Sequence, residues 1–234
     1  MMDRRTVLSS ALALSASGLG LPLFSARAQG ASLPSSDASA AVVAALERGA
    51  EVAVNQLGKA NGFMDNDKIR IPLPAVLEKA APLMRTMGRG KQLDELVSSM
   101  NHAAENAVAL AMPLLKNAIK SMSVQDARGI LTGGDMAVTN FFSAKTRAAL
   151  TEQFLPVVDN TMKPYALTKR YNDLSKRAAG LGLLKGEQTG SLQEHVTSRA
   201  LDGLYFVIGE EERRIRADPV ATGSALLKKV FSAL

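Results

Sequence analysis

His102 and Glu105 stand three residues apart in a segment whose apolar positions recur at helical spacing, so their side chains can meet on one face of a helix. An imidazole beside a carboxylate can hold a metal, and carboxylate-bridged di-metal bundles use Glu-x-x-His pairs from two helices. Here the order is reversed. The other histidine, His195, has Leu192 rather than a Glu three positions before it, and His102 projects away from the apolar stripe centred on Met100. His102 is therefore read as part of a solvated helix face and no metal site is assigned. With two histidines and no cysteine in 234 residues, three-imidazole sites, thiolate zinc and cluster sites, haem attachment, disulfides and a cysteine nucleophile are all excluded. No cofactor is assigned.

Asn101 and Glu105 flank the apolar stripe one helical turn apart, and leaving such groups buried and unpaired costs about 1 to 3 kcal/mol each. They would hold either the polar head of a ligand or the backbone end of another helix. Asp202, in Leu201-Asp202-Gly203-Leu204, and the run Glu210-Glu211-Glu212 are further carboxylates that could serve acid/base chemistry. In the simpler reading, Glu210 with Arg214 and Glu212 with Arg216 are ion pairs along one helix face, each worth about 0.3 kcal/mol. No Gly-x-Ser-x-Gly or Ser-x-x-Lys nucleophile motif is present, Thr132-Gly133-Gly134 lacks the rest of a phosphate loop, and Asp65-Asn66-Asp67 lacks the spacing of a calcium loop. No catalytic residue is assigned. A different signal lies in residues 163–185, where Lys163, Lys169, Arg170, Lys176, Arg177 and Lys185 stand against Asp173, with Tyr165 and Tyr171 between them. Such a face suits anionic lipid headgroups or lipopolysaccharide phosphates; the plain alternative is an ordinary charged helix face.

Helices are the elements that must carry these residues. Aromatics are 4% of the chain with no Trp, so Leu, Val, Ile, Met and Ala supply the packing, a composition that favours helix over sheet. The expected class is all-α, a single multi-helix domain over 37–234, following a linker at 29–36. A helix from Asp37, capped by Ser36 or Asp37, runs until Asn61-Gly62. A polar connection over 61–74 ends in the extended Ile71-Pro72-Leu73-Pro74, and a short helix from Ala75 to Met87 is closed by Gly88 and Gly90. The stripe from Leu93 to Met122 predicts a long central helix over about 92–122, kinked at Pro113, with 107–115 as the buried axis of the fold. Ser123 and Asp126 form a capping box for a helix ending at Thr132-Gly133-Gly134. Helical segments near 135–144, 146–160 and 164–180 follow, then a glycine-punctuated loop at 180–190, a helix from Leu192 to Asp218-Pro219, and a last short helix bearing Leu226, Leu227, Val230 and Phe231.

Residues 1–28 read as an export signal: Arg4-Arg5, a weakly apolar stretch from Ala11 to Phe24, and Ala26-Arg27-Ala28 as a cleavage site. The paired arginines followed by Thr6-Val7-Leu8-Ser9 resemble a twin-arginine signal, which carries a folded protein across the bacterial inner membrane; general secretion is the alternative. The stretch is too short to span a bilayer comfortably and no other segment is long and apolar enough, so a periplasmic protein without a transmembrane anchor is expected. Three of the 28 basic and one of the 22 acidic residues lie in the signal, which leaves a mature charge of +4. That is too mild, and the compartment wrong, for a nucleic-acid partner.

Several local patterns recur together here: Ile71-Pro72-Leu73-Pro74, Met100-Asn101 with Ala103-Ala104-Glu105, Asp126-Ala127 with Ile130-Leu131 and Gly133, Ala200-Leu201-Asp202-Gly203-Leu204, Ile215-Arg216 with Asp218-Pro219, and Leu227-Lys228-Lys229-Val230-Phe231. In this order the chain resembles a bacterial family called domain of unknown function 4197, over almost the whole mature length. Where that family usually has Arg after the Asn, this chain has His102. The resemblance implies an exported helical protein and carries no activity, cofactor or catalytic residue to transfer. The leading expectation is non-catalytic binding of a small hydrophobic or lipid-like ligand between helices, with Asn101 and Glu105 at the site and eight mature-chain methionines as adaptable packing. The first alternative is an envelope scaffold docking on anionic lipid or lipopolysaccharide through Lys169, Arg170, Lys176 and Arg177. The second is an enzyme using Glu105 or Asp202.

Overall fold

Alanine-rich segments with an apolar residue every third or fourth position fold as helices because each can bury one stripe against its neighbours. The computed structural model describes residues 35–180 and 191–221, with 224, 225, 228 and 229, and among these it contains helices and no strand. The chain is all-α, as the composition predicts. The order is α1 (Ser35–Leu57), α2 (Ala75–Met84), α3 (Gly90–Val108), α4 (Met112–Lys120), α5 (Val124–Thr132), α6 (Ala137–Met162), α7 (Leu167–Gly180) and α8 (Leu192–Ala217). The export signal at 1–28, residues 29–34 of the linker, the loop 181–190 with Lys185, and Leu226, Leu227, Val230 and Phe231 lie outside the described residues.

The expected central helix over 92–122 is two helices. α3 ends at Val108, a turn carries Ala109 to Ala111, and α4 begins with Pro113 in its first turn. Proline lacks an amide hydrogen and its ring crowds the carbonyl four residues earlier, here Ala109, so the chain breaks before Pro113 and restarts on it. The segment 107–115 is consequently not a buried axis, since Leu110 at the turn is 52% exposed. The helix that occupies the centre is α8, which packs against α1, α3 and α6 and is buried at intervals from Leu192 to Ile215.

Upstream, the helical run that begins with α2 ends at Gly88 as expected: its positive φ of 74° is the left-handed conformation of a helix-closing glycine, the chain kinks there, and Gly90 opens α3. Downstream, the segments near 135–144 and 146–160 are one helix, α6, which runs through Pro156. Val138, Phe142, Thr146, Leu150, Phe154, Val158 and Met162 are all buried at four-residue spacing. That spacing drifts about 40° round the helix at each step, so α6 turns different sides to α5, α4, α3 and α8 along its length. Pro156 sits on the exposed side, where one missing hydrogen bond is offset by this continuous packing. The capping box at Ser123 and Asp126 is present, and a second one, Ser191 with Glu194, starts α8.

Candidate functional site

Asn101 and Glu105 lie on α3 where it meets the irregular segment 58–74, and both are buried. Asn101 Oδ1 accepts from the Ile71 backbone N–H at 2.9 Å, and its Nδ2 donates to the Ile71 carbonyl at 3.0 Å and the Val97 carbonyl at 2.8 Å. Glu105 Oε1 accepts from the Phe63 N–H at 3.3 Å, while Oε2 lies 2.8 Å from Nδ1 of the half-exposed His102. The pair therefore clamps the backbone of the loop before α2, a structural role as in the second expectation but toward a loop rather than the end of another helix. Gly203 of α8 completes the clamp, because a Cβ there would lie 2.6 Å from the ring of Phe63. His195 adds a contact to the Pro72 carbonyl at 3.3 Å, and burial holds its pKa below the ordinary imidazole value. The family-like patterns at 71–74, 100–105 and 200–204 thus converge on one structural junction.

The other carboxylates are also engaged. Asp202 pairs with Arg147 at 2.9 Å, and that guanidinium lies 5.0 Å from the Tyr205 ring centroid. The run at 210–212 is not a solvated ladder. Glu210 pairs with Lys68 at 2.8 Å, and the buried Glu211 lies between Arg48 and Arg214. Buried Glu212 accepts from the Val138 and Thr139 N–H groups at the start of α6 while bonding Arg216. The predicted Glu210–Arg214 pair is thus replaced by Arg214 with Glu211. Among the described residues no group of three or more His, Asp and Glu could hold a metal ion, and no helix is long and apolar enough to cross a membrane.

The basic segment is arranged differently. α7 buries Tyr171, Leu174 and Ala178 against α2 and α3, as its spacing dictates, and this places Lys169, Arg170, Lys176 and Arg177 on the exposed side. Its start is fixed by Gln193 of α8, which donates to Asp159 of α6 at 3.1 Å and to Thr168 at 3.2 Å. Two rows result. Lys169 and Lys176 lie two turns apart, with no carboxylate partner among the described residues. Arg170, Asp173 and Arg177 line a cleft of about 310 Å³ with Arg89, Gln92 and Glu95 from the other wall. Of the three α7 residues, Arg170 is the one with an ion pair among the described residues, to Glu95 at 2.9 Å. Arg89 was not singled out from sequence. Its one local signal is the Gly88-Arg89-Gly90 setting, and only the packing of α7 reveals a partner about eighty residues away.

Among the described residues three clefts stand out, the one beside α7, a shallow groove at Gly129 to Asn140 and an apolar crevice of about 10 Å³ near Gly49 and Ile208, and Asn101 and Glu105 line none of these three. In comparison with known proteins, the family model described as protein of unknown function (DUF4197) matches residues 32–232. No curated protein and no solved structure matches the chain.

Proposed function

The chain belongs to the DUF4197 family of proteins of unknown function, and from the site itself we propose that it is an exported envelope protein which docks without catalysis on anionic phospholipid through the outer face of α7. One observation carries the reading: four exposed cations on α7, of which Lys169, Lys176 and Arg177 have no carboxylate partner among the described residues. Basic side chains near an anionic leaflet each contribute about 1 kcal/mol, and that contribution falls off within a Debye length. The signal-like residues 1–28 support delivery to the periplasm, where such leaflets face the protein. The rival reading, a hydrophobic ligand held at Asn101 and Glu105, loses its motive because the polar atoms of both residues are engaged with neighbouring backbone and with His102. An acid/base role for Glu105 or Asp202 is weakened in the same way, since Glu105 is engaged with the Phe63 amide and His102, and Asp202 with Arg147.

Co-sedimentation of the mature chain with phosphatidylglycerol vesicles tests the proposal against phosphatidylcholine vesicles. Binding to the anionic vesicles should weaken as salt rises and should fall to the phosphatidylcholine level in Lys169→Glu/Lys176→Glu. Both residues are exposed, so the variant keeps its fold. Salt-independent binding, or equal binding by the double variant, would refute the docking role.

A further inference from the structure

The cleft between α3 and α7 carries an unusual charge set. Glu95 and Arg170 satisfy each other across it at 2.9 Å. What remains facing the same volume is two guanidiniums, Arg89 and Arg177, and one carboxylate, Asp173. Among the described residues the Arg89 guanidinium has one hydrogen bond, to Gln92 at a long 3.5 Å, and neither Asp173 nor Arg177 has an ion-pair partner, although they stand one helical turn apart. Arg89 is also the N-cap residue of α3, which has no side-chain cap and no acidic residue in its first turn, and the carboxylate that α3 does bring to this cleft, Glu95, is bound to Arg170. Paired guanidinium forks match the oxygens of a phosphate, and a lone carboxylate beside them matches an ammonium group.

We infer that this cleft binds a phosphate ester bearing a primary amine, of the phosphoethanolamine type, with Arg89 and Arg177 on the phosphate and Asp173 on the ammonium. A volume of about 310 Å³ suits a small polar group. The cleft opens beside the lysine row of α7, so the phosphate ester can be either a free metabolite or a lipid headgroup whose acyl chains stay outside. The inference rests on the docking proposal only for that second source; the cleft's own complementarity stands without it. Asp173 is the group that selects. A bare phosphate leaves it unpaired, and a quaternary ammonium offers it charge but no N–H donor.

The test is titration of the mature chain, followed by calorimetry or NMR, with O-phosphoethanolamine, phosphocholine and inorganic phosphate in parallel. Phosphoethanolamine should bind saturably and about tenfold or more tighter than the other two, since a charge-assisted hydrogen bond separates them. Asp173→Asn should erase that preference, and Arg89→Gln/Arg177→Gln should remove binding of all three. Should the arginine double variant fail to fold, Asp173→Asn alone decides. No saturable binding, or a preference that survives Asp173→Asn, overturns the inference. Glycerophosphoethanolamine against vesicles containing phosphatidylethanolamine separates the two sources: binding to both identifies the headgroup as a ligand, and binding to the phosphomonoester alone identifies a free metabolite. Vesicle docking without binding of any of these compounds sinks this inference and leaves the docking proposal standing. Binding of phosphoethanolamine without vesicle docking does the reverse.

Discussion

Asn101 offers one acceptor and two donors to its surroundings, and the backbones of Ile71 and Val97 take all three. Truncation to Ala would leave the N–H and C=O of buried Ile71 without partners, at about 1 to 3 kcal/mol for each group. Asn101→Ala should therefore lower unfolding free energy by at least about 2 kcal/mol in urea titration; a loss near zero would mean that water enters to replace the amide. Gly203 makes a sharper case, because two effects of opposite sign meet there. Replacing a helix-interior glycine by Ala ordinarily gains about 1 kcal/mol. At this position the new Cβ would lie 2.6 Å from the fully buried ring of Phe63, whose backbone is itself held by Glu105. Overpacking of this kind costs about 1 to 3 kcal/mol, so Gly203→Ala should destabilise. Gly129→Ala in α5 is the control, since nothing lies within contact of its Cβ, and it should stabilise by up to about 1 kcal/mol. If both substitutions shift the thermal midpoint in the same direction, the proposed packing against Phe63 is wrong.

At the scale of elements, α6 begins at Met136 without a side-chain cap of its own, and its cap comes from another helix. The Glu212 carboxylate on α8 accepts from the second and third amides of α6, and Arg216 bridges that carboxylate to the Ile130 carbonyl near the end of α5. Three helices are joined at one buried charge pair. Removing one partner of a buried ion pair costs up to about 3 to 5 kcal/mol, and loss of this carboxylate also leaves the Val138 and Thr139 amides without their acceptor. Glu212→Ala should fall in that range by denaturant titration, whereas Glu210→Ala, which breaks only the exposed bridge to Lys68, should change stability by under about 1 kcal/mol. The sequence shows these glutamates as one run on a helix, and nothing local distinguishes the exposed member from the capping one. Residue spacing makes the helices themselves legible, and Ser123 with Asp126 marks a true start, because a capping box is a contact within four residues. Breaks are harder to read. Pro113 ends one helix while Pro82 and Pro156 are carried inside others, and nothing in the local sequence separates the two outcomes. The clamp at Asn101 was open between a ligand and a backbone partner for the same reason: the partner, Ile71, is thirty residues away.

For the whole molecule, acid is the variable that sums these local arrangements, because several groups in different helices are held away from their ordinary pKa in the same direction. Asp94 is lowered by its hydrogen bond to Arg85, Asp126 by the amide and hydroxyl of Ser123, and Asp159 by Lys163 and Gln193. A carboxylate whose folded pKa is depressed contributes stability above its unfolded value, near 3.9, and loses that contribution as pH falls through the folded pKa. His195 is lowered chiefly by burial, with the Pro72 carbonyl opposing and Arg199 assisting. The sign is the same, since the unfolded chain binds the proton more readily. The window is higher, beginning as pH falls below about 6.5. Thermal midpoints measured from pH 7.5 downward should thus decline in two stages, a shallow one below about 6.5 from a single imidazole and a steeper one below about 4 from the carboxylates. The described helices from α1 to α8 share one nearly continuous core, so each stage should move a single cooperative transition rather than split it. His195→Gln removes the titrating group and should flatten the first stage while leaving the second in place. A first stage that persists unchanged in this variant would assign it to another group and remove His195 from the account.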